Sequence, residues 1–121
     1  MKKILVADDR ATSRELLRTV LEGCGYAVYE ASDGLEAVEL ARLARPDLLI
    51  LDLQMPKLDG MGVLAELRAG GDFATVPILA LTASAMRGDR ERALLAGFTE
   101  YVTKPINLRF LREELARLLN P

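Results

Sequence analysis

The sequence predicts one α/β domain, residues 1–121, in which five strand–helix units form a doubly wound parallel sheet. Five short apolar segments of strand length recur along the chain, at residues 4–7, 27–31, 48–51, 78–81 and, more weakly, 101–102. Three of them are almost uninterrupted Ile, Leu, Val and Ala, which is typical of strands buried on both faces. Segments with helical spacing alternate with these strands, and this alternation predicts right-handed crossovers with helices on both faces of the sheet.

The composition fits one folded domain and excludes several classes of function. The chain has 121 residues, 50% of them hydrophobic, with 16 basic and 18 acidic side chains and no histidine. Without histidine, the chain cannot use Ser-His-Asp or Cys-His catalysis, bind zinc through histidine or carry a phosphohistidine. Its single cysteine, Cys24, excludes an internal disulfide and a multi-cysteine metal site.

Charge and hydropathy indicate the expected surroundings of the chain. A net charge of −2 gives no support to nucleic-acid binding, which favours a basic surface. The first apolar run meets Asp8 and Asp9 at once, whereas a secretory signal needs about 7–15 apolar residues. No stretch approaches the roughly 18 apolar residues of a membrane helix. We therefore expect a cytoplasmic protein that binds neither nucleic acid nor membranes.

The helical segments carry apolar stripes and recognisable end signals. The stripe residues of the first, second and last helices are Leu16, Leu17, Val20 and Leu21; Ala37, Val38 and Ala41; and Leu108, Leu111, Leu115 and Leu118. Thr12 with Glu15, and Asp33 with Glu36, have the spacing of a capping box. Asn107 is expected to cap the last helix. The expected helix ends are Gly23, Gly70 and Gly97, with Pro46 after the second helix.

Polar residues follow four of the five predicted strands. Ligands of such sheets bind outside the carboxyl ends of the strands, and these residues share that edge. The polar residues are Asp8, Asp9, Asp52, Thr82, Thr103 and Lys104, and Pro105 follows the last of them. If the protein performs chemistry, the side chains left for it are carboxylates, hydroxyls and lysine, and this edge is where they gather.

Three carboxylates at neighbouring strand ends need positive charge nearby. Two carboxylates about 4 Å apart repel by roughly 4 kcal/mol at an effective dielectric constant of 20. Lys104 supplies one positive charge, and a hard divalent cation would supply the rest. Magnesium fits best, because it takes oxygen ligands and is usually held by one or two carboxylates with water and phosphate. Calcium needs more oxygen ligands, and no EF-hand spacing is present.

Each of these residues also has a simpler structural interpretation. Asp8 or Asp9 alone could belong to a turn or cap a helix, and Asp52 could merely end its strand. Thr82 alone is more simply a strand or capping residue, and a lysine such as Lys104 is usually solvated on the surface. The functional interpretation depends on their joint occurrence at one edge.

The same motifs, in this order, resemble the receiver domains of response regulators in two-component phosphorelays. The resemblance covers residues 3–119, and its motifs are short individually but specific together. They are Asp8-Asp9, the segment 47–56 with Asp52, the pair Asp59-Gly60, Thr82-Ala83 and Lys104-Pro105. The resemblance implies a flavodoxin-like fold of the chemotaxis-regulator type, with strand order 2-1-3-4-5.

The resemblance assigns the phosphoacceptor and the metal ligands. It implies that Asp52 accepts a phosphoryl group from a partner's phosphohistidine. It implies that Asp9 binds Mg²⁺ directly and that Asp8 does so directly or through a water. Asp52 itself and the backbone carbonyl of Gln54 would complete the protein ligands.

The resemblance also implies a switch. Thr82 would hydrogen-bond the phosphoryl group and Lys104 would pair with it, with Pro105 following a cis peptide bond. On phosphorylation Thr82 would move toward the phosphoryl group, and Tyr101 would turn inward into the vacated space. Tyr101 also has a simpler interpretation, as an edge-strand residue that only packs. Such a switch is a population shift between two packings of one fold.

The implied role is signalling rather than enzymatic, in a bacterial two-component system. The expected partners are a histidine kinase or histidine phosphotransfer protein, and a downstream protein bound by the face of the fourth helix, fifth strand and fifth helix. Residues 82–92 and 96–97 resemble receivers of hybrid histidine kinases and stand-alone cell-cycle regulators. Whether the chain stands alone, and whether it forms a homodimer when phosphorylated, stays open.

Three other interpretations of the sequence remain. A small Mg²⁺-dependent aspartyl phosphatase would want a carboxylate where Gln54 stands. A flavodoxin-like FMN binder would want uncharged donors where Asp8 and Asp9 stand. A pseudo-receiver would lack a required residue, and none is missing.

Arg10 departs from the residues usual after the acidic pair in the receiver family. Gln54 and Ser84 occupy positions that tune the lifetime of the phosphoryl group in that family, and the lifetime in this chain stays open.

Overall fold

Each predicted apolar segment forms a strand in the structure, a computed structural model that describes residues 1–83 and 86–120. Within those ranges the strands are β1 (Lys3–Ala7), β2 (Ala27–Ala31), β3 (Leu48–Asp52), β4 (Ile78–Thr82) and β5 (Glu100–Thr103). The helices are α1 (Ala11–Gly23), α2 (Gly34–Ala44), α3 (Gly60–Ala69), α4 (Asp89–Ala96) and α5 (Leu108–Leu119). The strands are parallel and ordered β2-β1-β3-β4-β5, which confirms the predicted fold class and topology.

Helices cover both faces of the sheet, and each face has its own apolar core. One core joins alternate strand residues to α2, α3 and α4, and the other joins the remaining strand residues to α1 and α5. All residues of β3 and β4 are buried, as their continuous apolar sequence predicts. Leu16 departs from the predicted apolar stripe of α1, because it is 52% exposed. Leu17 and Leu21 of the same stripe are fully buried.

Two predicted helix caps are confirmed and one is wrong. Asp33 accepts a hydrogen bond from the backbone N–H of Glu36 at 2.8 Å, and Asn107 accepts one from Phe110 at 3.0 Å. The capping box predicted at Thr12 is absent because α1 begins earlier, at Ala11. The Arg10 carbonyl already accepts the first helical hydrogen bond, so Thr12 lies inside the first turn.

The start of α2 lies directly against the loop between β3 and α3. A Cβ atom at Gly34 would lie 1.8 Å from the carbonyl oxygen of Leu58, so only glycine allows this approach. Lys57 of the same loop lies 3.5 Å from Asp33. The loop that leaves Asp52 is thereby held in place by α2.

None of the helices in the described part of the chain combines the length and the apolarity needed to cross a membrane.

Candidate functional site

The carboxylates of Asp8, Asp9 and Asp52 meet at the carboxyl edge of the sheet. One ligand oxygen from each lies within 4.8 Å of the others. The parallel pairing of β1 with β3 sets Ala7 opposite Leu51, and this register brings the residues that follow side by side. Asp8 is fully buried and Asp52 is 5% exposed, whereas Asp9 faces solvent. The structure therefore brings together the three carboxylates that the sequence placed at one edge.

Lys104 bridges the two buried carboxylates. Its Nζ atom lies 3.0 Å from Oδ2 of Asp8 and 3.0 Å from Oδ2 of Asp52. The side chain reaches both from the end of β5, because the Lys104 N–H donates to the Thr82 carbonyl at 2.7 Å and fixes the chain beside β4. The Lys104–Pro105 peptide bond is cis.

Backbone N–H groups hold the second oxygen of each buried carboxylate. Arg10 donates its N–H to Oδ1 of Asp8 at 2.9 Å, and Gln54 donates its N–H to Oδ1 of Asp52 at 2.9 Å. Asp9 makes no hydrogen bond or ion pair within residues 1–83 and 86–120, so its carboxylate remains available to a ligand. The hydrogen bonds from Lys104 and from the two backbone N–H groups fix the orientation of the buried carboxylates of Asp8 and Asp52.

The surroundings of Asp52 raise its pKa above the ordinary aspartate value. Burial raises the pKa of Asp52, and the negative charge of Asp8 raises it further, against the lowering effects of the Gln54 N–H and Lys104. Burial disfavours the Lys104 ammonium, but its hydrogen bonds to Asp8 and Asp52 outweigh burial and raise the pKa of Lys104. With three carboxylates and one ammonium the cluster carries a formal charge of −2, which a divalent cation would balance.

The donor set fits a hard divalent cation. Carboxylate oxygens within one small cluster, one of them exposed, are what Mg²⁺ takes from a protein while keeping several waters. No histidine or thiolate of the described residues joins the cluster, so it does not resemble a zinc site. The carbonyl of Gln54, predicted as a further ligand, stays a prediction.

Two residues of the predicted switch lie close to this edge. Thr82 ends β4, is 2% exposed and pairs in register with Thr103. Tyr101 is 7% exposed and packs in the core on the α2–α4 side, and its hydroxyl has no hydrogen-bond partner among the described residues. Its inward position is compatible with either interpretation of Tyr101. The movement of Thr82 and Tyr101 stays a prediction, and Ser84 lies outside the described residues.

Sequence reasoning missed residues around the site. Arg14 donates through Nη1 to the carbonyl oxygen of Asp8 at 2.8 Å and so supports the acidic loop. The signal available in the sequence was the position of Arg14 in the first turn of the helix that follows Asp8 and Asp9.

An open depression of about 350 Å³ beside Thr82 is lined in part by Met61, Met86 and Arg92. Nothing in the sequence marks these three, because they come together only when α3 and α4 pack beside β4.

Comparison with known proteins gives consistent matches over nearly the whole chain. Residues 4–116 match the family described as response regulator receiver domain. The polar-differentiation response regulator DivK of Brucella anthropi is 37% identical over 111 residues, 91% of this chain and 90% of the relative. The probable transcriptional regulator ycf27 of Cyanophora paradoxa is 44% identical over 118 residues, 98% of this chain but 48% of the relative. The chain therefore spans about half the length of that regulator.

Solved structures also match this chain over nearly its whole length. The chemotaxis protein CheY4 of Vibrio cholerae is 32% identical, with a TM-score of 0.90 and 98% of each chain covered. The receiver domain of a sensor histidine kinase from Pseudomonas aeruginosa is 36% identical, with a TM-score of 0.90, covering 99% of this chain and 98% of that one. That structure was solved with a magnesium ion coordinated in its active-site cleft.

Proposed function

We propose that this chain, which belongs to the response regulator receiver domain family, accepts a phosphoryl group on Asp52 and thereby switches its contacts with other proteins. Receiver domains act in two-component systems as signalling phosphoacceptors. The observation that carries the assignment to Asp52 is its place in the cluster. Like Asp8, it is a buried carboxylate that Lys104 and a backbone N–H hold, but it is the last residue of β3 and is 5% exposed, whereas Asp8 is fully buried.

The proposed reaction is an in-line transfer from nitrogen to oxygen. A carboxylate oxygen of Asp52 forms a bond to phosphorus while the bond between phosphorus and the partner's imidazole nitrogen breaks. The electron pair of that bond remains on the imidazole. The histidine must come from another protein, because this chain contains none. A histidine kinase or a histidine phosphotransfer protein is therefore the proposed donor.

Lys104 and Thr82 are the residues proposed to hold the transferred group. Lys104 already lies 3.0 Å from the Oδ2 atom of Asp52, so its ammonium can follow the negative charge onto the phosphoryl oxygens. Thr82 ends the neighbouring strand and can donate its hydroxyl to one of those oxygens. The N–H of Gln54 orients the Asp52 carboxylate for the attack.

Asp8, Asp9, Asp52 and the Gln54 carbonyl are proposed to hold Mg²⁺. Bound there, Mg²⁺ neutralises negative charge on the phosphoryl oxygens. The support is the oxygen-only donor set of Asp8, Asp9 and Asp52 and its formal charge of −2 together with Lys104. The exposed carboxylate of Asp9 leaves the site open to solvent, as a cation that keeps several waters requires.

The signal is proposed to leave through the face formed by α4, β5 and α5. A phosphoryl group at the strand edge adds charge and acceptor oxygens next to Thr82, and Tyr101 of β5 lies in the core below α4. The face carries the ion pair of Arg90 with Glu100, at 2.8 Å, and the 88% exposed Leu95. A downstream protein is the proposed reader, in the cytoplasm and without direct contact to nucleic acid. Association of two phosphorylated copies is a further outcome of the same switch.

The test is direct phosphorylation of the purified chain. With Mg²⁺ and a small acyl phosphate we expect a mass increase of one phosphoryl group that is stable in acid and labile in base. The Asp52→Asn variant should lose it. Asp72→Asn, the same change at an exposed carboxylate in the α3–β4 loop, should retain it. Unchanged modification of Asp52→Asn would reject the site assignment, and a stoichiometric flavin spectrum would favour the FMN-binding alternative.

A further inference from the structure

An open depression of about 530 Å³ lies between α2 and α3 and shares no residue with the acidic site. Its apolar lining comes from Leu35, Val38 and Leu43 of α2 and from Leu58 of the β3–α3 loop. Leu35 is 56% and Leu43 is 77% exposed. A single exposed leucine is ordinary. These two, however, border one depression and lie eight residues apart, which corresponds to about 12 Å along a helix.

The rim of this depression is acidic. Glu39 and Glu66 line it together with one cation, Arg42, which is paired with Glu66 at 3.4 Å. An adjoining depression of about 320 Å³ shares Glu39 and Leu43 and is further lined by Glu30 and Glu36.

The carboxylates on this rim are not equally neutralised. Arg14 and Arg18 pair with Glu30, and the Ser32 N–H donates to Glu36. In the part of the chain that the structure describes, no cation lies within 4.0 Å of Glu39. Negative charge without a cation partner therefore lies between the two leucines.

We propose that this α2–α3 surface docks a short amphipathic helix of another protein, with leucine-like anchors on one face and lysine or arginine beside them. Anchors seven or eight residues apart on such a helix are separated by about 10–12 Å, which matches the spacing of Leu35 and Leu43. The basic side chains meet Glu39 and Glu36, which fixes orientation and speeds encounter.

The charge and the open shape of the surface argue against nucleic acid, lipid or a small molecule as its occupant. Nucleic acids and anionic lipid surfaces present phosphate, which Glu39 and its acidic neighbours repel. The depression is open along α2 rather than enclosed, which suits a helix better than a small molecule that a pocket must surround. The proposal does not require phosphorylation of Asp52, because the depression shares no lining residue with the carboxylate cluster.

The test uses two synthetic helical peptides of about 16 residues, long enough for four turns. Both carry the same leucine spacing, with lysine in one and glutamate in the other at the flanking positions. With ¹⁵N-labelled protein, the lysine peptide should shift amide resonances of residues 34–44 and 58–69. We expect it to bind at least about tenfold more tightly than the glutamate peptide and to weaken with added salt.

Matched variants locate the contact. Glu39→Lys and Leu43→Ser should each weaken binding of the lysine peptide by about tenfold, because each removes one of the proposed contacts. Glu113→Lys on α5 and Leu95→Ser on α4 make the same changes at exposed positions elsewhere and should leave binding unchanged. Since all four positions are exposed, the variants are expected to melt like the parent chain.

Several results would overturn the proposal. Equal affinity for the two peptides would remove the role of charge, and resonance shifts confined to other helices would remove the surface. An equal effect of Glu39→Lys and Glu113→Lys would also reject this surface, because the peptide would then respond to the overall charge of the protein rather than to a contact at Glu39. Concentration-dependent shifts of residues 34–44 without peptide would make a second copy of this chain the occupant in place of a basic helix.

Discussion

Asp52 and Asp33 show how one residue type acquires two roles at the carboxyl edge of the same sheet. Asp52 ends β3, Asp33 follows β2, and each accepts a backbone N–H a few residues further on, from Gln54 and Glu36 respectively. Burial and the charge of Asp8 raise the pKa of Asp52, whereas the Glu36 N–H lowers the pKa of Asp33, followed by the smaller effect of Lys57. Burial beside a second carboxylate therefore distinguishes the proposed phosphoacceptor from a helix cap.

The largest expected effect comes from Mg²⁺. A ligand that binds only the folded state adds about 2.7 kcal/mol to the free energy of unfolding when present at 100 times its dissociation constant. Urea unfolding with and without Mg²⁺ should show this gain for the parent chain. Asp9→Asn should lose most of it and remain folded, because Asp9 is exposed and its side chain has no hydrogen bond or ion pair among the described residues.

The same neutralisation at the helix cap is the control for Mg²⁺. Asp33→Asn should keep the full Mg²⁺ effect, since Asp33 lies outside the carboxylate cluster. An equal loss of the Mg²⁺ effect in Asp9→Asn and Asp33→Asn would mean that Mg²⁺ acts on overall charge rather than at a site.

A smaller effect is expected from removing each aspartate's lysine. Lys104→Met leaves Asp8 and Asp52 buried together without their cation, and breaking a fully buried pair costs about 3–5 kcal/mol. Because the Lys104 side chain is 19% exposed, we expect a loss nearer about 2 kcal/mol in the free energy of unfolding at neutral pH.

Lys57→Met makes the corresponding change beside Asp33. The Lys57 side chain is 64% exposed and lies 3.5 Å from the carboxylate, so its removal should not measurably change the urea midpoint. Similar losses in Lys104→Met and Lys57→Met would contradict the distinction between the two aspartates.

The sequence predicted both aspartates, but it distinguished them only in part. The capping spacing from Asp33 to Glu36 is local, and so are the apolar runs that became strands. The capping box at Thr12 was wrong because the pattern does not encode that α1 starts directly after the acidic loop.

Contacts between distant parts of the chain set the limit of sequence prediction. The bridge from Lys104 spans 96 residues to Asp8 and 52 to Asp52, and only the strand order brings these groups together. The resemblance assigned Lys104 to the site without giving its distances. The α2–α3 depression was not predicted, because it exists only where Leu58 packs beside α2.

The smallest expected differences lie in how stability depends on pH, measured without divalent cations. Asp52 binds its proton more tightly when folded, so the parent chain loses stability as the pH rises from about 3.8, the ordinary value, through the raised pKa. Asp33 binds its proton less tightly when folded, so its stability contribution is present above about 3.8 and is lost as the pH falls through the lowered pKa.

Asparagine at each position tests these opposite signs. Relative to the parent chain, Asp52→Asn should gain stability as the pH rises, and Asp33→Asn, which keeps a capping side chain, should lose it. Urea unfolding from about pH 3 to pH 7 samples the pH on both sides of the ordinary aspartate pKa. The differences are small because Lys104 and the Gln54 N–H partly offset burial at Asp52, and because Asp33 remains in contact with solvent. Parallel curves for the two variants would mean that burial beside Asp8 does not separate the two roles.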